Sequence, residues 1–186
     1  MGTEIDGVDY GPLACLIGNW QGEKGTDLAP EPDGDSSTPY YETICYEACG
    51  EVTNAERQVL AIVRYHQVVR RQSNGEVFHN ESGYLTWEAA SGTVVQSFVI
   101  PRGVGVVAGG TGQASDTGSS FSVTATLDDD DYSITQAPFM RDNASTQSFE
   151  HSVEVTGDVL KYRETTVVDI YGRIFDHTDE NSLTRQ

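Results

Sequence analysis

The chain has 186 residues, of which 37% are hydrophobic, and this length suits one folded domain with a single core. The formal net charge is −18, from 11 Lys and Arg against 29 Asp and Glu, so the field of the protein would repel nucleic acid and anionic lipid surfaces. No apolar run approaches the roughly 18 residues that span a bilayer, and Met1 to Asp6 lack the features of a secretory signal. We therefore expect a cytoplasmic protein with neither nucleic-acid nor membrane partners.

The first part of the chain predicts a flexible leader over residues 1–9, before a single domain over residues 10–186. Pro12 lies in the first turn of a predicted short helix, and Leu13, Leu16 and Ile17 fall on one face of it. This short helix leads directly into a β-domain, which suggests a lid or plug.

The segment Gly18-Asn19-Trp20-Gln21-Gly22 follows the predicted helix. Glycines on either side of a Trp allow the first strand to curve sharply, and the Trp can plug the closed end of a barrel. Farther on, three prolines, a glycine and several acids between Gly25 and Pro39 predict a long solvated loop.

The remaining chain predicts about ten antiparallel strands that follow one another through short turns. They comprise the Trp20 strand and the segments 40–49, 58–71, 77–88, 93–100, 103–108, 121–127, 132–137, 146–155 and 159–171. This order favours an all-β, up-and-down, lipocalin-like barrel with an interior cavity and a short N-terminal helix. The glycine-rich run over 103–110 is read as curved strand, because no helix follows it to bind a phosphate.

The strand over residues 59–69 has two mixed faces, each apolar at one end and polar at the other. A strand that runs from a packed barrel floor to a wet rim gives this pattern, and so does a strand that contacts a partner chain. The pattern therefore allows a homodimer without requiring one. The odd set of Cys15, Cys45 and Cys49 argues against a disulfide framework, and we expect these side chains to act as small buried hydrophobes.

None of the common enzyme motifs occurs, neither a P-loop nor a nucleophile elbow nor a zinc-protease helix. His66 and His151 lie within strands and are expected to be packed or exposed without a ligand role. His79 and Glu81 share one strand face, which fits a structural brace or a ligand contact. His177, near the end of the chain, is either solvated or a metal ligand, since a neutral imidazole is a good axial ligand for haem iron.

Three places in the chain together resemble the nitrobindin family of fatty-acid-binding-protein-like haem β-barrels. The first is Gly18-x-Trp20-x-Gly22 after a short helix, and the second is the segment His79-x-Glu81-x-Gly83-Tyr84-Leu85. The third is His177 followed by Leu183 and Arg185. The resemblance spans residues 10–185.

The resemblance implies a ten-stranded barrel that binds haem b, with the ferric iron held by one histidine, His177. It also implies nitric oxide binding, and it raises the activity of isomerising peroxynitrite to nitrate. Trp20, His79, Lys24 and Thr26 are expected to contribute to haem binding, Lys24 and Thr26 because they follow the first motif where the family's glycine pattern continues. The alternatives are a haem-free barrel that carries a small apolar, fatty-acid-like ligand, and a structural or partner-binding role.

Overall fold

The computed structural model describes residues 2–186, and nearly all of them lie in β-strands or tight turns. The strands are β1 (Glu4–Ile5), β2 (Val8–Asp9), β3 (Gly18–Glu31), β4 (Gly34–Asn54), β5 (Gln58–Arg71), β6 (Val77–Glu88), β7 (Thr93–Ile100), β8 (Val104–Ala114), β9 (Gly118–Thr126), β10 (Ile134–Gln136), β11 (Ala144–Thr156), β12 (Val159–Ile170) and β13 (Arg173–Arg185). A 3₁₀ helix covers Gly11–Leu16, and a short α-helix, α1, covers Pro138–Asn143.

Within the described chain, ten strands close an antiparallel barrel, as the sequence predicted. Strands β3 to β9 pair in chain order, β9 pairs with β11, and β11 to β13 follow in order. The barrel closes where β13 pairs with β3, with Asp179 opposite Asp27 and Thr178 opposite Leu28. The glycine-rich run is confirmed as a strand, β8, whose first residues pair with β10 and whose last residues pair with β9. At Gly110 a Cβ would lie 1.9 Å from the Ser122 carbonyl oxygen, so only glycine allows that close strand contact.

The 3₁₀ helix plugs one end of the barrel, which we call the base. Leu13 and Leu16 are fully buried there beside Trp20, whose indole N–H donates to the Leu16 carbonyl oxygen at 2.6 Å. The Arg185 guanidinium lies 4.3 Å above the Trp20 ring and donates to the Cys15 and Ile17 carbonyl oxygens. The predicted helix and the predicted plugging role of Trp20 are therefore both present.

Three predicted segments differ from the structure. Residues 25–39 are not a long loop, because β3 and β4 extend through them as a hairpin whose turn lies at Pro32 and Asp33. Residues 132–137 contribute only the three-residue β10, which lies against β8 outside the closed ring. The tenth barrel strand is instead β13, which the sequence analysis left unassigned.

Two smaller differences concern the start of the chain and the cysteines. The predicted leader contains a two-stranded hairpin, β1 with β2, and Ile5 and Val8 pack against the main core. Cys15 is buried as expected, but Cys49 is exposed. No described helix is long and apolar enough to cross a membrane.

The inward side chains change from polar to apolar along the barrel axis. Three strands show the same order, from the end opposite the helix to the base. They are Tyr40, Glu42, Ile44 and Tyr46 on β4; His79, Glu81, Gly83 and Leu85 on β6; and His177, Asp179, Asn181 and Leu183 on β13. The base is therefore a packed hydrophobic core. The opposite end presents titratable groups, and we call it the open end because His177 and Asp179 are partly exposed there.

Candidate functional site

The inward polar layer begins with a hydrogen-bonded group that we call the Glu42 cluster: Glu42, Gln67, Tyr162 and Asn181. The fully buried Glu42 carboxylate accepts bonds from Tyr162 Oη at 2.6 Å, Asn181 Nδ2 at 2.8 Å and Gln67 Nε2 at 3.2 Å. Tyr40 extends the cluster through a 2.7 Å bond to the Tyr162 hydroxyl. Burial raises the pKa of Glu42, although these donors lower it. Three donors to one buried carboxylate make this a satisfied, rigid element.

A second chain of buried groups runs across the barrel from His151 to His79. His151 Nδ1 donates to Gln96 Oε1 at 2.8 Å, and Gln96 Nε2 donates to Tyr65 Oη at 2.8 Å. Tyr65 in turn donates to Glu81, whose other oxygen lies 3.4 Å from His79 Nε2. The His79–Glu81 brace that the sequence predicted is therefore present, and it is continuous with a longer network. Burial lowers the pKa of His151 to about 4, so this imidazole is neutral.

The third group, the His177 cluster, consists of Asp27, His177 and Asp179 and lies toward the open end. His177 Nε2 is 2.5 Å from the buried Asp27 Oδ1 and 3.7 Å from Asp179 Oδ2. The His177 side chain is 32% exposed and that of Asp179 is 26% exposed, so both are accessible from the open end.

The protonation of the His177 cluster reflects its crowding by carboxylates. Partial burial lowers the pKa of His177, but the hydrogen bond to Asp27 and the charges of Asp179 and Asp27 outweigh burial and raise it overall. Burial and the charge of Asp27 raise the pKa of Asp179 to about 7, against the opposing effect of His177 and His79. Carboxyl groups therefore outnumber basic groups on the inward side of this end, and their crowding favours the protonated form of Asp179.

Strand β3 reaches the His177 cluster through a β-bulge that the sequence did not reveal. Pairing with β4 shifts register between Gly22 and Gly25, so that Trp20 and Gly22 face inward before the bulge and Gly25 and Asp27 face inward after it. Gly25 makes room for the Tyr40 ring, since a Cβ there would lie 2.0 Å from that ring. Asp27 is thus a site residue that sequence reasoning missed, because simple alternation places it outside.

Lys24 and Thr26, which were expected to contribute to haem binding, do not line the interior. Both side chains are exposed, because the bulge turns them to the outer face. Trp20 also lies away from the His177 cluster, since it is buried at the base against the 3₁₀ helix. Of the five expected haem-site residues, the structure brings only His177 and His79 to the same inward region. There the charge of His177 lowers the pKa of His79, and the charges of both lower the pKa of Asp179.

Comparison with known proteins identifies the family. The family model of the THAP4-like, heme-binding beta-barrel domain matches residues 9–185. The chain belongs to this family. The resemblance to nitrobindin-like haem barrels is thereby confirmed.

One solved structure supports the fold of this THAP4-like barrel. The crystal structure of Rv2717c from M. tuberculosis superposes with a TM-score of 0.69 and 22% sequence identity, over 94% of each chain. At that identity the likeness establishes the fold alone. A comparison with curated proteins finds no match.

The residues at the open end of this THAP4-like barrel fit a haem group. His177 offers an inward, accessible imidazole, and the Arg102 charge is close enough to lower its pKa. Arg102 also donates to the Phe78 carbonyl oxygen, and the Arg71 guanidinium lies 4.8 Å above the Phe78 ring. These two guanidinium groups, one above the Phe78 ring and one at its backbone carbonyl, would suit the propionates of a haem.

A groove of about 830 Å³ lies on the outer face of β4 to β8, lined in part by Arg64, Tyr84 and Val99. Its lining includes outward-facing side chains, so it is distinct from the acidic interior. The alternative of a haem-free barrel that carries an apolar, fatty-acid-like ligand stays a prediction.

Proposed function

We propose that the protein binds haem b through one axial histidine, His177, and that the bound haem binds nitric oxide or isomerises peroxynitrite. The observation that carries this proposal is the position of His177, an inward and accessible imidazole on the strand that closes a barrel of a heme-binding family. When bound, ferric haem would supply an open coordination position for either small molecule.

The residues around His177 would orient this ligand. Asp27 accepts a hydrogen bond from His177 Nε2, so the iron would bind the other ring nitrogen, Nδ1. A carboxylate partner makes a ligating histidine more electron-rich and fixes its ring. His79, held by Glu81, is proposed as a second haem contact from β6. Arg71 and Arg102 would neutralise the propionates at the rim.

A hemin titration of the metal-free protein tests the axial ligand. The wild type is expected to give a Soret band, and His177→Ala should weaken hemin binding by about 10-fold to 100-fold or more. His66→Ala is the matched control, because His66 lies on the outer face and bonds only to Asn80. An equal Soret band and affinity in His177→Ala would overturn the assignment of His177.

The small-molecule chemistry needs its own experiment. Nitric oxide added to the hemin-loaded protein should shift the Soret band, and peroxynitrite should decay faster, with nitrate as the product. The hemin-free protein at the same concentration is the control. If loaded and hemin-free protein give the same decay rate, the isomerase activity is wrong, although haem binding can still hold.

A further inference from the structure

The buried chain of groups from His151 to His79 has one direction of hydrogen bonding. Tyr65 has a single hydroxyl proton, and the Glu81 carboxylate can only accept, so that proton lies between the two groups. The Tyr65 oxygen is then left to accept from Gln96 Nε2, which turns the Gln96 carbonyl oxygen toward His151 Nδ1. Every donor along the chain therefore points toward Glu81.

The inner part of this chain is held rigidly by burial. His151 packs against Tyr162 with ring centroids 5.6 Å apart, and burial lowers its pKa so that its imidazole is neutral. Tyr65, Gln96 and Glu81 are each no more than 3% exposed. Together with His151 they join β5, β6, β7 and β11, so rotation of one side chain would break a hydrogen bond of its neighbour.

The chain reaches the accessible interior at His79. The side chain of His79 is 31% exposed, and its Nε2 lies 3.4 Å from the Glu81 carboxylate. Among residues 2–186, no hydrogen bond reaches His79 Nδ1. The Glu42 cluster differs, since its last member, Tyr40, is fully buried. A carboxylate bonded to one nitrogen of an imidazole decides which nitrogen remains for a ligand.

We propose that Glu81 and Tyr65 are positioning residues that fix the ring of His79, so that its Nδ1 meets the small molecule bound on the haem. Gln96 and His151 anchor Tyr65 from the buried side. This role rests on the proposed function, since it needs a group held through the histidine of β13. Nδ1 of a protonated imidazole donates to an oxygen atom of that small molecule, whereas Nδ1 of the neutral form accepts.

Nitrogen-15 NMR of the hemin-free protein tests the positioning without the cofactor. At a pH where His79 is neutral, the wild type should show one tautomer, with the proton on Nε2. Tyr65→Phe frees the Glu81 carboxylate to rotate, so both tautomers should then be populated. Tyr162→Phe is the matched control, because it removes another buried hydroxyl, from the Glu42 cluster, and should leave the His79 signals unchanged. A proton on Nδ1 in neutral wild type, or an unchanged tautomer in folded Tyr65→Phe, overturns this role.

Removal of the charge of Glu81 gives a second readout on the hemin-free protein. Glu81→Gln takes away the anionic partner of His79, so the proton affinity of this imidazole should fall by about 10-fold or more. The carboxyls of Asp179 and Glu42 also interact with His79, and His177 opposes them, but these groups are the same in both proteins. An equal proton affinity in Glu81→Gln would show that Glu81 does not hold the imidazole.

The hemin-loaded protein tests the contact with the small molecule. After reduction and addition of carbon monoxide, His79→Leu and Tyr65→Phe should shift the C–O stretching frequency in the same direction, and Tyr162→Phe should not. An unchanged frequency in His79→Leu overturns the contact. Failure to bind hemin contradicts the proposed function, while the NMR measurements still decide the positioning. Normal hemin binding with an unfixed His79 tautomer contradicts only the positioning.

Discussion

The Glu42 cluster and the His177 cluster are neighbouring layers of one barrel, yet their carboxylates differ in hydrogen bonding and in exposure to solvent. Glu42 has Tyr162, Asn181 and Gln67 as donors and is sealed from solvent. Asp179 has only a distant contact with His177 and stays partly exposed. Full hydrogen bonding in a sealed interior is typical of a structural network, whereas a partly exposed carboxylate is open to solvent or to a ligand. The comparison separates the residues that stabilise the barrel from those that are accessible to a ligand.

The largest expected effect is the loss of the Glu42 carboxylate. Glu42→Ala should lower the free energy of unfolding by about 3–5 kcal/mol, because it creates a cavity and leaves three hydrogen-bond donors without their acceptor. Urea unfolding followed by circular dichroism measures this change. Glu42→Gln keeps the shape and one acceptor oxygen, so its cost should stay near 1–2 kcal/mol. A loss below about 1 kcal/mol in Glu42→Ala would mean that the Glu42 cluster is not the structural layer described above.

His151 provides a pH-dependent test of the second buried network. Its folded-state pKa of about 4 lies below the ordinary value of 6.5. Between these values the unfolded chain binds the proton and the folded chain does not, so stability is lost as pH falls from 6.5 to 4. The contribution has a slope of at most about 1.4 kcal/mol per pH unit. His151→Gln should remove that slope and can keep the hydrogen bond to Gln96. Parallel urea series at pH 4.5, 5.5 and 7 compare the two proteins, and identical slopes would show that His151 titrates normally.

The sequence predicted the barrel well because its strongest signals are local. Alternating apolar residues and turn residues define most wall strands, and the helix and Trp20 plug follow from spacing near Pro12. β13 was missed because it carries Asp176, Asp179 and Glu180, which strands usually disfavour. Those acids are tolerated because Asp176 and Glu180 face solvent and Asp179 faces an accessible interior, which only the closed barrel creates.

The site was predicted less completely than the fold because register decides which side chains face inward. His79, Glu81 and His177 were identified from motif and alternation. Lys24 and Thr26 were expected to contribute to haem binding, but the bulge after Gly22 inverts the alternation and places both on the outer face, and the same bulge concealed Asp27. A bulge depends on the partner strand and on space for the Tyr40 ring, and neither is readable from local sequence.

The smallest expected effect, and the one that most sharpens the comparison, comes from Glu164. Burial and the charges of Glu81, Asp179 and Glu42 hold its pKa well above the usual range. A raised folded-state pKa means that the folded chain holds the proton more tightly, so stability is lost as pH rises through that value. Glu164→Gln removes the loss, and at pH 8 it should be as stable as the wild type or more stable by up to about 1 kcal/mol. The gain should shrink toward pH 5, and urea unfolding at both values measures it. A loss of more than about 1 kcal/mol at pH 8 would show that Glu164 has a stabilising partner, and the distinction between satisfied and open carboxylates would then fail at this position.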